Sequence, residues 1–359
     1  MTAIEHYFPH DYREARHAFI VAAEAAGLGV TSRLHPSEKG ADGKSLFLDT
    51  TTIGQRDAKT ALLMISGTHG VEGYFGSGAQ TGLLREGLAK RAPNGAKIVL
   101  LHALNPFGFS WDRRVNEDNA DINRNFADFK NPPPNDAYDE LHEAIELTSL
   151  SRAAMKTANA VLRAYSDKHG VFKLQEAISA GQYKHPNGVY FGGARESWSH
   201  LMLKDVFREE LKGIARLIVI DFHTGLGESG AAEMITEDLP GSDAYKRASA
   251  MWGNVQSSEA GESLSPPLQG TIDQAVAKWM KGKELTFAAL EVGTKPTRDV
   301  FAAIRRDNWL HQHARPNDPD WPGVKREIRD AFYVDTLEWK RSVWGHATKA
   351  VDAALAAIA

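Results

Sequence analysis

The stretch ALLMISGTHGVEG, residues 61–73, joins a short apolar run to a glycine-rich turn that carries a histidine and a glutamate. The apolar run, Ala61–Ser66, has the length and the continuous hydrophobicity of a strand buried on both faces of a sheet. The three glycines of the turn allow the backbone to bend sharply after the strand and to approach a ligand closely. Residues Gly73–Leu88 then follow a helical pattern. The stretch therefore predicts a strand–turn–helix unit of an α/β protein.

The same alternation continues along the 359 residues. Further buried strands are predicted at Lys97–His102, Leu217–Phe222 and Thr286–Val292. Further helices are predicted at His10–Gly27, Asp136–Ala164, Ser242–Val255 and Thr336–Ile358, the last with a capping box formed by Asp335 and Glu338. The pattern predicts an α/β fold with a mixed, mostly parallel central sheet flanked by helices. Since no Ser/Gly-rich linker interrupts the chain, we expect one domain over residues 1–359.

Two segments between the predicted elements are typical of loops. Residues 131–135 read NPPPN, and residues 181–193 read GQYKHPNGVYFGG. The second is rich in glycine, aromatic and polar residues, and we expect it to contain one short strand and to form a wall of a site.

Composition excludes several classes of function. Apolar residues make up 42% and charged residues 25% of the chain, which is typical of a globular protein, and the net charge of −4 argues against nucleic-acid binding. The absence of cysteine excludes disulfides, a thiolate nucleophile and a cysteine zinc site. The N-terminus lacks a basic region followed by an apolar run, and no stretch has the roughly 18 apolar residues of a membrane span. We therefore expect a cytoplasmic protein with no membrane partner.

Polar residues cluster where the predicted strands end, which is where open α/β sheets bind ligands. His69 and Glu72 follow the first strand, and His223 follows the third. A His-x-x-Glu match alone is weak, and a second one, His35–Glu38, lies in a polar, loop-like stretch where we attribute it to chance. Together, however, His69, Glu72 and His223 provide the two imidazoles and one carboxylate of a catalytic Zn²⁺ site.

Two other strand ends carry residues suited to catalysis. Residues 105–126 follow the second strand and are dense in Asn, Asp and Arg, which is typical either of a solvated loop or of arginines that bind a carboxylate or polarise a carbonyl. Glu291 lies near the end of the fourth strand, where it is either a general base or a partner for Lys295 or Arg298.

These motifs, taken in order, resemble those of a known family. Thr68–Gly73, Asp121–Phe126, Asp221–Thr224 and the late Glu291 are similar to the motifs of zinc carboxypeptidases of the M14 type, most closely the DUF2817 branch, which is related to the aspartoacylase/succinylglutamate desuccinylase group. The resemblance covers roughly residues 60–295. It implies a zinc carboxypeptidase-like α/β fold, with the following roles: zinc ligands His69, Glu72 and His223; general base Glu291; substrate-carboxylate ligands Asn123 and Arg124; a carboxylate that orients the first zinc histidine, Asp121; and a carbonyl-polarising arginine, Arg114, with Arg113 as the alternative.

The chain departs from the family at a mobile tyrosine that normally lies between the last zinc histidine and the general base. Only Tyr245 lies between His223 and Glu291, in a charged, helix-like context. Tyr183 and Tyr190 of the aromatic loop are alternatives, although core packing also explains them.

The resemblance implies a zinc-dependent amidohydrolase of the metallocarboxypeptidase type, whose substrate is a small peptide or an N-acyl amino acid. The alternatives are an N-acyl-amino-acid deacylase of the aspartoacylase type, a zinc- or carboxylate-binding protein without turnover, and a structural protein with incidental histidines. The sequence predicts neither the oligomeric state nor the physiological substrate.

Overall fold

A computed structural model describes residues 4–359. It contains one sheet built from the strands β1 (Val30–Lys39), β2 (Ser45–Gly54), β3 (Thr60–Ile65), β4 (Ala96–His102), β5 (Arg216–Thr224), β6 (Ala232–Thr236), β7 (Val255–Ser257) and β8 (Glu284–Val292). Their order is β1-β2-β4-β3-β5-β8-β6-β7. The central neighbours β4, β3, β5 and β8 run parallel, whereas β1 and β2 on one side and β6 on the other pair antiparallel. The predicted α/β class and mixed sheet are confirmed.

Thirteen α-helices occur within residues 4–359. They are α1 (Tyr12–Ala25), α2 (Gly73–Arg85), α3 (Leu88–Arg91), α4 (Pro106–Ser110), α5 (Asp136–Ile145), α6 (Arg152–His169), α7 (Val171–Ser179), α8 (Trp198–Glu209), α9 (Asp243–Trp252), α10 (Ile272–Trp279), α11 (Thr297–His313), α12 (Trp321–Phe332) and α13 (Leu337–Ile358). None of these helices combines the length and hydrophobicity that crossing a bilayer requires.

The core lies on both faces of the sheet because successive residues of a strand point to opposite sides. In β3, Leu62 and Met64 join one apolar cluster, while Leu63 and Ile65 join the other. This double burial explains why the central strands read as continuous apolar runs. The four strands predicted from such runs are β3, β4, β5 and β8, with ends shifted by at most two residues.

The edge strands were not predicted, and one interpretation was wrong. The segment His35–Glu38, read as a loop, lies in β1. Because β1 pairs only with β2 and exposes most of its residues, it has a polar composition and lacks the apolar run by which the buried strands were recognised. The Nδ1 atom of His35 accepts a hydrogen bond from the backbone of Glu38, at 3.1 Å, so this second His-x-x-Glu match is a local backbone contact.

Three predicted helices break or end at positions that were not expected. The helix predicted over Asp136–Ala164 is two helices, α5 and α6, because the Ser151 hydroxyl accepts a hydrogen bond from the backbone of Ala154 and caps a new start. The helix predicted over Ser242–Val255 ends at Trp252, because Gly253 adopts φ +80°, and Val255 begins β7. Similarly, the helix predicted over Gly73–Leu88 ends at Arg85 and is followed by the short α3.

The cap of the last helix also differs from the prediction. Thr336, rather than Asp335, caps α13 by accepting a hydrogen bond from the backbone of Trp339 at 3.3 Å. Asp335 instead pairs with Lys340, at 2.5 Å. Residues 131–135 and most of 181–193 form loops, with an isolated bridge between Gln182 and Phe191 as the short strand. That the whole chain is one domain stays a prediction.

Candidate metal centre

The three side chains predicted to bind metal meet at the carboxyl ends of β3 and β5. His69 and Glu72 lie in the turn between β3 and α2, and His223 is the last residue but one of β5. The Nδ1 atom of His69 is 2.8 Å from one oxygen of Glu72, and the Nδ1 atom of His223 is 3.0 Å from the other. One potential ligand atom from each residue lies within 4.8 Å of the others, and all three residues are buried.

This cluster fits a divalent cation. The Nδ1 atom of His69 is buried without a hydrogen-bond partner, because its close approach to Glu72 lacks hydrogen-bond geometry. Burial opposes ionisation of Glu72, but the two imidazoles outweigh it and hold the pKa of Glu72 below its usual range. Glu72 is therefore ionised, as a metal ligand must be. Two imidazoles and one carboxylate are a known ligand set for catalytic zinc.

A carboxylate lies behind each histidine of the cluster. Asp121 is 3.1 Å from the Nε2 atom of His69, and Asp221 is 2.9 Å from the Nε2 atom of His223. Such contacts fix each ring so that its Nδ1 atom faces the cluster. Asp121 was predicted to do this, whereas Asp221 had been assigned no role. The available signal was its spacing, since residues two apart on a strand share a face.

The two adjacent arginines point in different directions. Arg114 contacts the cluster: its guanidinium is 3.1 Å from Glu72 and 2.9 Å from Asp121. Arg113 is buried away from it and contacts Asp307 at 3.2 Å, which also accepts a hydrogen bond from Lys325 at 2.6 Å. The structure thus brings Arg114, and not Arg113, to the predicted ligands.

Arg114 also contacts the ring nitrogen of His69 that faces Asp121. Its Nη2 atom lies 2.7 Å from the Nε2 atom of His69, which is also the nitrogen that faces Asp121. If the Nδ1 atom of His69 binds a metal, Nε2 carries the hydrogen and donates it to Asp121. In that arrangement Nε2 would no longer accept a hydrogen bond from the Arg114 guanidinium, so this donor of Arg114 would be available to another acceptor.

Glu291 lies on β8 directly beside His223, with which it is in register. Its Oε1 atom accepts a hydrogen bond from the backbone of Leu226, at 2.9 Å. Burial, reinforced by the negative charge of Glu72, raises the pKa of Glu291 to about 7, which suits a general base. Among residues 4–359, Glu291 forms no ion pair with Lys295 or Arg298, the alternative considered from sequence.

Asn123 and Arg124 line the same cavity but are held by the backbone. The side-chain oxygen of Asn123 accepts a hydrogen bond from the backbone of Ile272, at 2.9 Å. The Arg124 guanidinium donates to the carbonyl of Ser179, at 2.6 and 3.0 Å, and to the carbonyl of Asn123, at 2.8 Å. These bonds use three of the five N–H donors of Arg124 and leave two for a ligand.

The family model described as "Protein of unknown function (DUF2817)" matches residues 8–346. The chain belongs to the DUF2817 family. The membership predicted from the motifs is therefore confirmed. No curated protein matches the sequence.

Three solved structures illustrate what this DUF2817 chain is similar to. The carboxypeptidase A from Helicoverpa armigera is 12% identical, with a TM-score of 0.47, over 95% of this chain and 74% of that one. A metallo-carboxypeptidase from Pseudomonas aeruginosa, in complex with (2-guanidinoethylmercapto)succinic acid, is 16% identical, with a TM-score of 0.42, over 95% and 71%. An aspartoacylase family protein from Mesorhizobium loti is 15% identical, with a TM-score of 0.39, over 81% and 68%. Similarities this distant do not specify a substrate.

Of the three tyrosines considered from sequence, Tyr190 lies in the site of the DUF2817 chain. Its ring faces the guanidinium groups of Arg114, at 5.1 Å, and Arg124, at 5.9 Å, and it lines the cavity. It adopts φ +55°, a conformation rare for an aromatic residue and frequent at functional sites. The Tyr245 hydroxyl instead donates to the carbonyl of Val255, at 3.2 Å, outside the cavity.

All the predicted site residues except Asp121 line one cavity of about 650 Å³. The size is typical of a small-molecule site. Besides the strand ends, its walls are formed by parts of α6, α7 and α11, which the sequence reasoning had not connected with the site.

Proposed function

We propose that the chain is a zinc-dependent hydrolase that cleaves an amide bond next to a substrate carboxylate. The observation that carries this proposal is the convergence of His69, Glu72 and His223, with a carboxylate behind each histidine. A Zn²⁺ ion held by these three side chains would supply Lewis-acid activation of water and of the substrate carbonyl.

Glu291 is the proposed general base. It takes a proton from the attacking water and delivers it to the leaving amine as the carbon–nitrogen bond breaks. Its burial and its register with His223 support this role, because both bring its carboxyl group next to a proposed metal ligand.

Arg114, Asn123 and Arg124 are proposed to bind the substrate. Arg114 donates hydrogen bonds to the oxyanion that develops on the scissile carbonyl, an interaction worth roughly 3–4 kcal/mol in comparable sites. Asn123 and the two free donors of Arg124 bind the substrate carboxylate and orient the amide for attack.

One observation favours an N-acyl-amino-acid deacylase of the aspartoacylase type as the second candidate. The only tyrosine between His223 and Glu291 is Tyr245, and its hydroxyl is bound to the carbonyl of Val255, outside the cavity. The tyrosine contribution implied by the resemblance to peptidases is therefore not available from that position. The proposed zinc, base and arginine roles are the same for both candidates.

The test is a hydrolysis screen with zinc-loaded protein, using C-terminal peptides and N-acyl amino acids, and with its Glu291→Gln variant in parallel. We expect Glu291→Gln to lower kcat by at least about 100-fold while it retains zinc. Glu284→Gln is a matched control, because Glu284 lies on the same strand at its opposite end.

Unchanged hydrolysis in Glu291→Gln would refute the assignment of the base. Stoichiometric zinc without turnover of either substrate class would instead indicate a binding protein, and protein purified without chelators that contains no zinc would indicate a structural role.

A further inference from the structure

One wall of the cavity carries an apolar stripe on α7. Val171, Leu174 and Ile178 line the cavity and are spaced by three and four residues, so they lie on one face of the helix. Their exposure rises along the helix, from 7% for Ile178, through the partly buried Leu174, to 74% for Val171. The stripe therefore runs from the interior of the cavity to solvent.

The inner end of the stripe lies beside the proposed carboxylate site. Ile178 precedes Ser179, whose carbonyl oxygen accepts both hydrogen bonds from Arg124 described above. At a rise of 1.5 Å per residue, the seven steps from Ile178 to Val171 span roughly 10 Å. An extended hydrocarbon chain needs on the order of eight carbons to cover this distance.

Apolar side chains from two other helices also line this cavity, beside polar ones such as Arg163 and Arg305. Phe301 and Ile304 of α11 and Leu162 of α6 line the same cavity and belong to, or pack against, the same apolar cluster as Ile178 and Leu174. An alkyl chain lying along the stripe would thus contact apolar side chains from three helices.

The opposite side of the carboxylate site is polar. Asn123 is bonded to the backbone of Ile272, and the cavity there is lined by Thr271, Asp273 and Glu237. Two carboxyl groups make that side unfavourable for an alkyl group. The α7 stripe is therefore a more favourable place for the apolar arm of an N-acyl amino acid than the surface beside these two carboxyl groups.

We propose that the substrate is an N-acyl amino acid whose acyl group is a medium-length alkyl chain, bound along the stripe formed by Val171, Leu174 and Ile178. This inference rests on the proposed amidohydrolase function. In the reaction, water adds to the acyl carbonyl, the carbon–nitrogen bond breaks and the proton passes to the amine, so that the products are an alkyl carboxylic acid and a free amino acid.

The test compares N-acetyl-, N-butanoyl- and N-octanoyl-glycine as substrates of the zinc-loaded protein. Complete burial of each methylene gives up to about fourfold in kcat/KM. Because the outer part of the stripe is exposed, we expect at least about tenfold between butanoyl and octanoyl. Leu174→Asn should abolish this gain and leave the acetyl substrate unaffected.

Two further variants serve as controls. Val171→Asn changes a solvent-exposed position, so it preserves folding if Leu174→Asn does not, and it should lower the rate for the octanoyl substrate alone. Val21→Asn replaces another exposed valine, on α1 and outside the cavity, and should change nothing.

Equal rates for all chain lengths would overturn the inference, as would hydrolysis of the peptide N-acetyl-Ala-Ala-Gly as fast as that of octanoyl-glycine. Calorimetric binding to the Glu291→Gln variant separates this inference from the proposed function. If octanoyl-glycine binds this variant at least tenfold more tightly than acetyl-glycine does, but the wild type turns over neither compound, only the proposed hydrolase function is refuted. Equal binding of the two would refute the stripe.

Discussion

Replacing Asp221 with asparagine tests whether the cluster is a metal site with oriented ligands. One oxygen of Asp221 lies 2.9 Å from the Nε2 atom of His223, and the other accepts a hydrogen bond from the Thr68 hydroxyl at 2.8 Å. Asparagine keeps the shape of the side chain but removes the charge. It therefore weakens the contact that turns the Nδ1 atom of His223 toward Glu72 without creating a cavity.

The expected effect follows from the nature of this contact. A buried hydrogen bond to a charged group contributes about 1.5–3 kcal/mol. If that energy is lost only from the metal-bound arrangement, the Kd for zinc rises by about 10- to 100-fold, which is the usual effect of removing a carboxylate behind a metal-bound histidine. Titration of the zinc-loaded protein with a competing chromophoric chelator measures the change directly.

The matched control is Asp49→Asn. Asp49 is also fully buried in the sheet, on β2, but its partners are Arg16, at 2.7 Å, and Ser32 rather than a histidine of the cluster. This variant should lose stability and retain the wild-type zinc affinity. If Asp221→Asn binds zinc as tightly as the wild type, or if both variants lose the same affinity, the proposed orientation of His223 is wrong.

Three further predictions concern the surroundings of the site. Asp307→Asn leaves the buried Arg113 and the partly buried Lys325 without their carboxylate, so we expect the free energy of unfolding, measured with urea, to fall by about 3–5 kcal/mol. A loss below about 1 kcal/mol would contradict this. Gly70→Ala places a methyl group against the backbone of Gly108, so the turn that carries His69 and Glu72 must shift. We expect a lower temperature of thermal unfolding and weaker zinc binding. Unchanged zinc affinity would count against a rigid turn. Burial, partly opposed by the charge of Asp49, lowers the pKa of His102 to about 4. The unfolded histidine titrates near pH 6.5, so between pH 6.5 and 4 the folded state binds fewer protons than the unfolded state, and the free energy of unfolding falls by up to about 3 kcal/mol over this range. The free energy of unfolding of His102→Phe should fall by less over the same range. Equal decreases in the variant and the wild type would refute the assignment.

The central strands were predictable because strands buried on both faces have continuous apolar sequences. Residues of β3 enter apolar clusters on both faces of the sheet, so nearly every position must be apolar. The edge strand β1 has one neighbour and mostly exposed side chains, and its position depends on pairing with β2. The break between α5 and α6 depends on one serine cap, a local signal that the helical pattern on either side of it obscures.

The convergence of the candidate metal ligands was predictable for a different reason. His69 and Glu72 are fixed by one short turn, and the parallel register of β3 and β5, in which Ile65 pairs with Asp221, brings the end of β5 beside that turn. Strand ends therefore identify the cluster once the sheet is parallel. Tyr190 could not be assigned in this way, because its position between two arginines depends on the positive φ of a loop residue.

The choice between Arg113 and Arg114 shows what sequence spacing lacks. The backbone carbonyls of both residues accept hydrogen bonds from the metal-site turn, from Val71 at 2.8 Å and Gly70 at 3.2 Å, so both belong to the same short segment. What separates their side chains is Asp307, which lies 194 positions further along the chain and binds Arg113 from α11. The guanidinium of Arg113 is held by Asp307, whereas the guanidinium of Arg114 contacts Glu72. The contact that distinguishes the two arginines thus comes from a residue far along the chain, which their spacing from the Asp121–Phe126 motif does not reveal.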